Sequence, residues 1–199
     1  MTRRLARGLA TLMAGGMVVV LAGCGTSPPP SPPEPSVSVP SIPAPLNGAK
    51  FIADPCSAIT VEQLQSIGFG EGRHEQTREG QCLIVLGPSV DVTTSWFPPV
   101  RESIRTLYSD RALGRDTGNH WEEVTINGYP AVIVETKENI PSKRDQGPLA
   151  CRLALGVDQN TLVHIKANTW SKPEAGPWQA DPCGAVKKIA EFVIDNLRS

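Results

Sequence analysis

Cys56, Cys82, Cys151 and Cys183 do most to limit what this 199-residue chain can fold into, and the residues far upstream say how to read them. Arg3, Arg4 and Arg7 form a basic head, and an apolar run follows from Leu9 to Ala22. That run is too short to span a bilayer as a mature helix, and the pairing of charged head with apolar stretch is the grammar of an export signal. In an oxidising compartment an even set of four cysteines reads as two disulfides. Three connectivities are possible. Pairing neighbours in sequence, Cys56–Cys82 and Cys151–Cys183, closes loops of about 27 and 33 residues, each worth about 3.5 kcal/mol in the loop-entropy model. This is the expected pairing. A zinc site is the rival, but no Cys-x-x-Cys occurs and His74, His120 and His164 are scattered, so no metal is expected.

The apolar run ends in Leu21-Ala22-Gly23-Cys24, with small residues where a signal peptidase must fit the backbone. This stretch resembles the lipobox of bacterial lipoproteins. The resemblance implies removal of residues 1–23 and a thioether from the Cys24 thiol to diacylglycerol. The acyl chains, palmitate among them, would hold the mature protein at the outer face of the cytoplasmic membrane, because two or three chains anchor stably where one does not. Arg3-Arg4 hints at export of a folded chain; the rest of that signal is missing, which favours the unfolded-chain route.

Loss of residues 1–23 removes three arginines and no acid. That leaves 16 basic side chains against 20 acidic ones, a net charge of −4. A nucleic-acid partner wants a basic footprint and is excluded on this ground. No polybasic patch is present for anionic lipid either, so the acyl chains must do the anchoring. Residues 28–45 hold nine prolines and four serines, with Glu34 the only charge. Such a segment prefers extended polyproline conformations and spans about 50 Å at about 3 Å per residue. The expected organisation is a signal peptide at 1–23, a lipidated cysteine and tether at 24–45, and one domain at 46–199.

Asp54-Pro55-Cys56 and Asp181-Pro182-Cys183 repeat one tripeptide near the two ends of that domain. In each, Asp can cap a helix and Pro suits its first position. After the second copy, Val186, Ile189, Ala190, Val193 and Leu197 recur at helical spacing, with Lys187, Lys188, Glu191 and Asp195 opposite. After the first, Thr60-Val61-Glu62-Gln63 predicts a capping box and a short helix ended by Gly68. Strands are expected over 81–87 and over 90–97, where Val90, Val92, Thr94 and Trp96 alternate with polar residues. A middle helix is expected over 99–109, opened by Pro98-Pro99. Trp121–Ile126 and Tyr129–Thr136 flank Asn127-Gly128, a hairpin turn in which both positions need positive φ. A second pair, 150–157 and 161–167, turns at Asp158-Gln159-Asn160, with Val163, Ile165 and Ala167 on one face and His164 and Lys166 on the other. The sum is an α+β domain: one antiparallel sheet packed by a short N-terminal helix, a middle helix and a C-terminal amphipathic helix.

Asp54-Pro55-Cys56, Cys82, Ser95-Trp96, the turn Asn127-Gly128-Tyr129-Pro130-Ala131, Cys151 and Pro182-Cys183 carry a second resemblance, over about 50–198. In order and spacing they resemble an actinobacterial lipoprotein family catalogued as domain of unknown function 3558, with the mycobacterial lipoproteins LprB and LprC among its members. Leu83-Ile84 departs from it, since a Trp is expected two residues after Cys82. The resemblance implies a small extracytoplasmic domain of the cell envelope and no established activity.

Catalytic patterns are absent: no Gly-x-Ser-x-Gly, His-Glu-x-x-His or P-loop occurs. Glu122 and Glu123, as neighbours on a strand, point to opposite faces and cannot share a substrate. His164 alone is a general base without a nucleophile. Cys56 and Cys183 at helix starts would have lowered pKa values if free, as a thiol-redox enzyme needs. No catalytic residue and no cofactor is therefore expected. Binding has better support in Trp170 and Trp178, which share a Pro- and Gly-containing loop, 168–180, and could contact a wall polymer, a lipid or an envelope protein. The expected function is a lipid-anchored binding or interaction domain. The alternatives are an envelope enzyme, hydrolytic or thiol-redox, and a carrier of lipid or small molecules.

Overall fold

Seven strands form a single antiparallel sheet in the computed structural model, which describes residues 37–78, 80–97, 103–116, 120–137, 150–170 and 172–199. The strands are β1 (Arg73–Arg78), β2 (Gln81–Val85), β3 (Asp91–Phe97), β4 (Glu122–Ile126), β5 (Tyr129–Lys137), β6 (Ala150–Gly156) and β7 (Leu162–Asn168). Their spatial order is β1-β2-β3-β7-β6-β5-β4. Two meanders, β1–β3 and β4–β7, thus meet along the seam between β3 and β7, where Asp91 faces Asn168 and Phe97 faces Leu162. The α+β class, the C-terminal helix and both disulfides are as expected. Signal peptide, Cys24 and most of the tether lie outside the described residues.

One face of the sheet is covered by α4 (Pro182–Arg198), whose residues Val186, Ile189, Ala190 and Val193 are fully buried. Their partners are Leu153, Leu155, Val163 and Ile165 in the same core cluster, inward-facing positions of β6 and β7. The short helices α1 (Ala49–Ala53) and α2 (Val61–Ser66) are joined through a 3-10 turn, Pro55–Ala58, and Gln63 of α2 donates its side-chain N–H to Asn196 Oδ1 of α4 at 3.1 Å. Thr60 and Gln63 close the capping box, and Gly68 ends α2 with φ 97°. Cys56–Cys82 ties the 3-10 turn to β2, and Cys151–Cys183 ties β6 to the first turn of α4.

Among the described residues the opposite face is covered only in part. Helix α3 (Ile104–Ala112) lays Ile104, Leu107 and Tyr108 over Val132, Val134, Ala154 and Leu162. Ser103 caps it, its hydroxyl accepting from the Thr106 N–H at 3.1 Å; Pro98-Pro99, the expected opening, lie outside the described residues. Two further elements depart from expectation. β1 has no apolar alternation, and its residues stand at a sheet edge. Asp54 makes no side-chain cap, so the first tripeptide opens a 3-10 turn instead of a helix. Val37, Val39 and Ile42, ahead of residue 46, also pack against the domain.

Candidate functional site

Strand parity puts a row of polar side chains on the sheet face opposite α4. The register runs Thr93 on β3, Lys166 on β7, Arg152 on β6 and Glu135 on β5. The next row places Asp91 opposite Asn168. Adjacent strands lie about 4.8 Å apart, so these side chains form a ladder of fixed spacing. All six are half-buried, in contrast to the fully buried Val163 and Ile165 on the other face.

Within the row the charges are mutually compensated. Arg152 Nε lies 3.1 Å from Glu135 Oε2. Asn168 Nδ2 donates to Asp91 Oδ1 at 2.8 Å. Burial pushes the Asp91 carboxyl up, against the pull of the Asn168 donor, the Lys166 charge and the Thr93 hydroxyl. A carboxylate whose desolvation outweighs three stabilising contacts is a common mark of a binding or reactive surface. On the other side of the Thr93 row, Ser95 stands directly opposite His164, which is only 4% exposed, and Ser95 Oγ accepts from Gln81 Nε2 at 3.0 Å.

Paired-carboxylate hydrolysis does not fit this row. Asp91 and Glu135 are three strands apart, about 14 Å at the usual strand spacing. Glycosidase carboxylates stand about 5–9.5 Å apart. Glu122 and Glu123 do point to opposite faces. Glu122 accepts from Lys187 on α4 at 2.8 Å, a bond that holds its carboxyl below the usual range, and Glu123 accepts from the Trp121 indole at 3.1 Å. Among the described residues no group of three His, Cys, Asp or Glu could hold a metal ion, and no helix is long and apolar enough to cross a membrane.

The two tryptophans singled out by sequence are not equivalent. Trp178 packs against the α4-side core and donates its indole N–H to the Ile67 carbonyl at 2.9 Å. It ends a kinked 3-10 segment, Pro173–Trp178, and Gly70 N–H holds the start of that segment by donating to the Glu174 carbonyl at 2.9 Å. Gly176 sits at the kink with φ 55°, because a Cβ there would strike the Gly68 carbonyl. Trp178 is therefore mainly an anchor for the loop. Trp170 is half-buried with φ 47°. A shallow groove lies elsewhere, lined by Pro45, Leu46, Asn47 and the turn Asp158–Thr161. Sequence reading found the parity of His164 and Lys166 but not their cross-strand neighbours, since register between distant strands leaves no local signal.

Four cysteines paired in sequence order on an α+β sheet define a disulfide-stapled domain of one family. The family model described as protein of unknown function (DUF3558) matches residues 19–196, and the chain belongs to that family. No curated protein and no solved structure matches the chain.

Proposed function

We propose that this is a lipid-anchored extracytoplasmic lipoprotein of the actinobacterial type, held at the outer face of the cytoplasmic membrane through Cys24, and that it binds a polar envelope component on its partly open sheet face. The observation that carries the binding reading is the Thr93–Lys166–Arg152–Glu135 row with Asp91 and Asn168 beside it. Two neighbouring cations, Lys166 and Arg152, stand beside two carboxylates, Glu135 and Asp91, so the patch is close to neutral and suits a near-neutral ligand rich in hydroxyls and amides, such as a wall glycan, over an anionic lipid or nucleic acid. Two further observations support the location. The family match includes Leu21-Ala22-Gly23-Cys24, and the paired cysteines suit an oxidising compartment.

Anchoring is tested by Cys24→Ala. The variant should lose fatty-acid labelling and leave the membrane fraction; continued labelling would defeat the lipobox reading. The binding face is tested by titrating a soluble wall-glycan fragment into 15N-labelled protein. Shifts should centre on Thr93, Arg152 and Lys166, and Lys166→Ala should weaken binding at least about tenfold. Shifts centred on Trp170 would move the site to the loop.

The hydrolase alternative has one specific observation, the Ser95–His164 juxtaposition. A fluorophosphonate probe that labelled native protein but not Ser95→Ala would favour it. The carrier alternative ranks lower, because α4 buries eight residues directly where a cavity between sheet and last helix would lie.

A further inference from the structure

The Pro/Ser-rich stretch is not uniform. Val37, Val39 and Ile42 alone among residues 28–45 carry branched aliphatic side chains, and they are half-buried while Ser38, Pro40 and Ser41 between them are exposed. That in-out alternation is the pattern of an extended segment laid on a surface. Val37, Val39 and Ile42 pack beside the cluster formed by α3 with Val132, Val134 and Leu162, and Ile42 also touches the α4-side core. The segment therefore passes from one sheet face to the other around an end of the sheet. Two hydrogen bonds fix the crossing. Tyr129 Oη donates to the Ala44 carbonyl at 2.8 Å, and Leu46 N–H donates to the Val157 carbonyl at 3.0 Å. Leu46 is buried beyond this point, and α1 then stacks Phe51 on Trp96 at 5.5 Å.

We infer that residues 37–46 are a releasable strap, a segment of the tether docked on its own domain, which gives the tether two lengths. Docking leaves only the residues before 37 to span the distance to the anchor. At about 3 Å per residue, the proline-rich part that remains, 28–36, covers about 30 Å instead of about 50 Å. The means of attachment make the strap easy to detach: three half-buried side chains, Leu46 and two hydrogen bonds, with no ladder to a strand. Release lengthens the tether and uncovers Val132, Val134 and Leu162 beside α3. The change of reach rests on the anchored-lipoprotein reading; the docking does not.

The full chain is compared with Val39→Asp/Ile42→Asp and with Ser38→Asp/Ser41→Asp, which adds the same charge on the exposed side. Limited digestion with a broad-specificity protease should spare residues 37–46 of the native chain and of the serine variant. The apolar-position variant should be cut there at least tenfold faster and should bind an apolar fluorescent dye, while it still melts cooperatively. Should that variant not fold, Val39→Ser/Ile42→Ser is read by the same digestion. Equal cleavage of 37–46 in native and variant chains would overturn the strap. On vesicles, energy transfer between a bilayer dye and a label on the domain should fall when the strap is released. Protection of 37–46 with no change in transfer would leave the docking intact and defeat the anchoring on which the second length depends.

Discussion

The two Asp-Pro-Cys tripeptides begin alike and end differently. Asp54 has φ −133° and ψ 83°, Asp181 has φ −134° and ψ 66°, and in each the following proline begins a helical turn. Both cysteines bridge to a sheet strand, with Cα–Cα distances of 5.0 and 5.1 Å. Yet the first opens a four-residue 3-10 turn and the second a 17-residue α-helix. The residue after the cysteine separates them. At the second site Gly184 N–H donates to Asp181 Oδ1 at 2.7 Å, and a Cβ on Gly184 would overlap that carboxylate. At the first site Ser57 occupies the matching position, and its N–H goes to the Asp54 backbone carbonyl at 3.1 Å instead. Beyond the cap, the second copy continues into an apolar stripe, whereas the first meets Ile59 and a fresh capping residue at Thr60. A tripeptide sets the backbone on entering the turn; the next residue decides the cap, and periodicity decides the length.

This comparison predicts an order of effects. The largest should come from Ile189→Asp, which buries an unpaired charge in the stripe that only the second copy possesses. A loss of at least about 4 kcal/mol in urea unfolding is expected. Next come the disulfides. Removing either pair should cost about 2–5 kcal/mol, and the two costs should agree closely, because the loops span 26 and 32 residues. A gap of more than about 1 kcal/mol would show that packing around one bridge, not loop closure, sets its worth. Trp178→Ala, which loosens the loop leading into the second copy, should cost about 2–3 kcal/mol, and Trp178→Phe about 1 kcal/mol for the lost bond to Ile67. The smallest effects test the caps directly. Asp181→Ala should cost about 1 kcal/mol, and Asp54→Ala no more than a few tenths.

Asp91 supplies a test of a different kind. Burial raises its folded-state pKa, so the folded protein holds the proton more tightly than the unfolded chain. This group therefore costs stability above its folded pKa, and the cost disappears as pH falls through that value. Asp91→Asn should leave the domain at least as stable at pH 7 and flatten this contribution, as read by melting across pH 3–7.

Elements with strong local signals were legible in the sequence. The stripe of α4, the Thr60–Gln63 box, the Asn127-Gly128 turn with φ 48° and 89°, and the alternation of β3 all record contacts within a few residues. β1 was silent because Arg73–Arg78 is an edge strand whose side chains need no apolar period. The strap was silent because proline and serine dominate its composition, although Val37 and Val39 held the alternation. Trp178 looked suited to an exposed contact; its indole instead finds an acceptor, Ile67, far away in sequence. For the candidate site, face was readable and neighbourhood was not: nothing local says that Lys166 will stand between Thr93 and Arg152.

The seam between β3 and β7 has a consequence for how the molecule is made. Neither disulfide crosses it: Cys56 and Cys82 belong with the first meander, Cys151 and Cys183 with the second. For a chain delivered N-terminus first, Cys82 is the next cysteine to emerge after Cys56, and Cys183 the next after Cys151. Oxidation can then finish in one half before the other exists, and mispaired bridges have little chance to form. The late and demanding event is the zipping of Asp91–Phe97 onto Leu162–Asn168, which closes a long stretch of chain and is expected to set the overall folding rate.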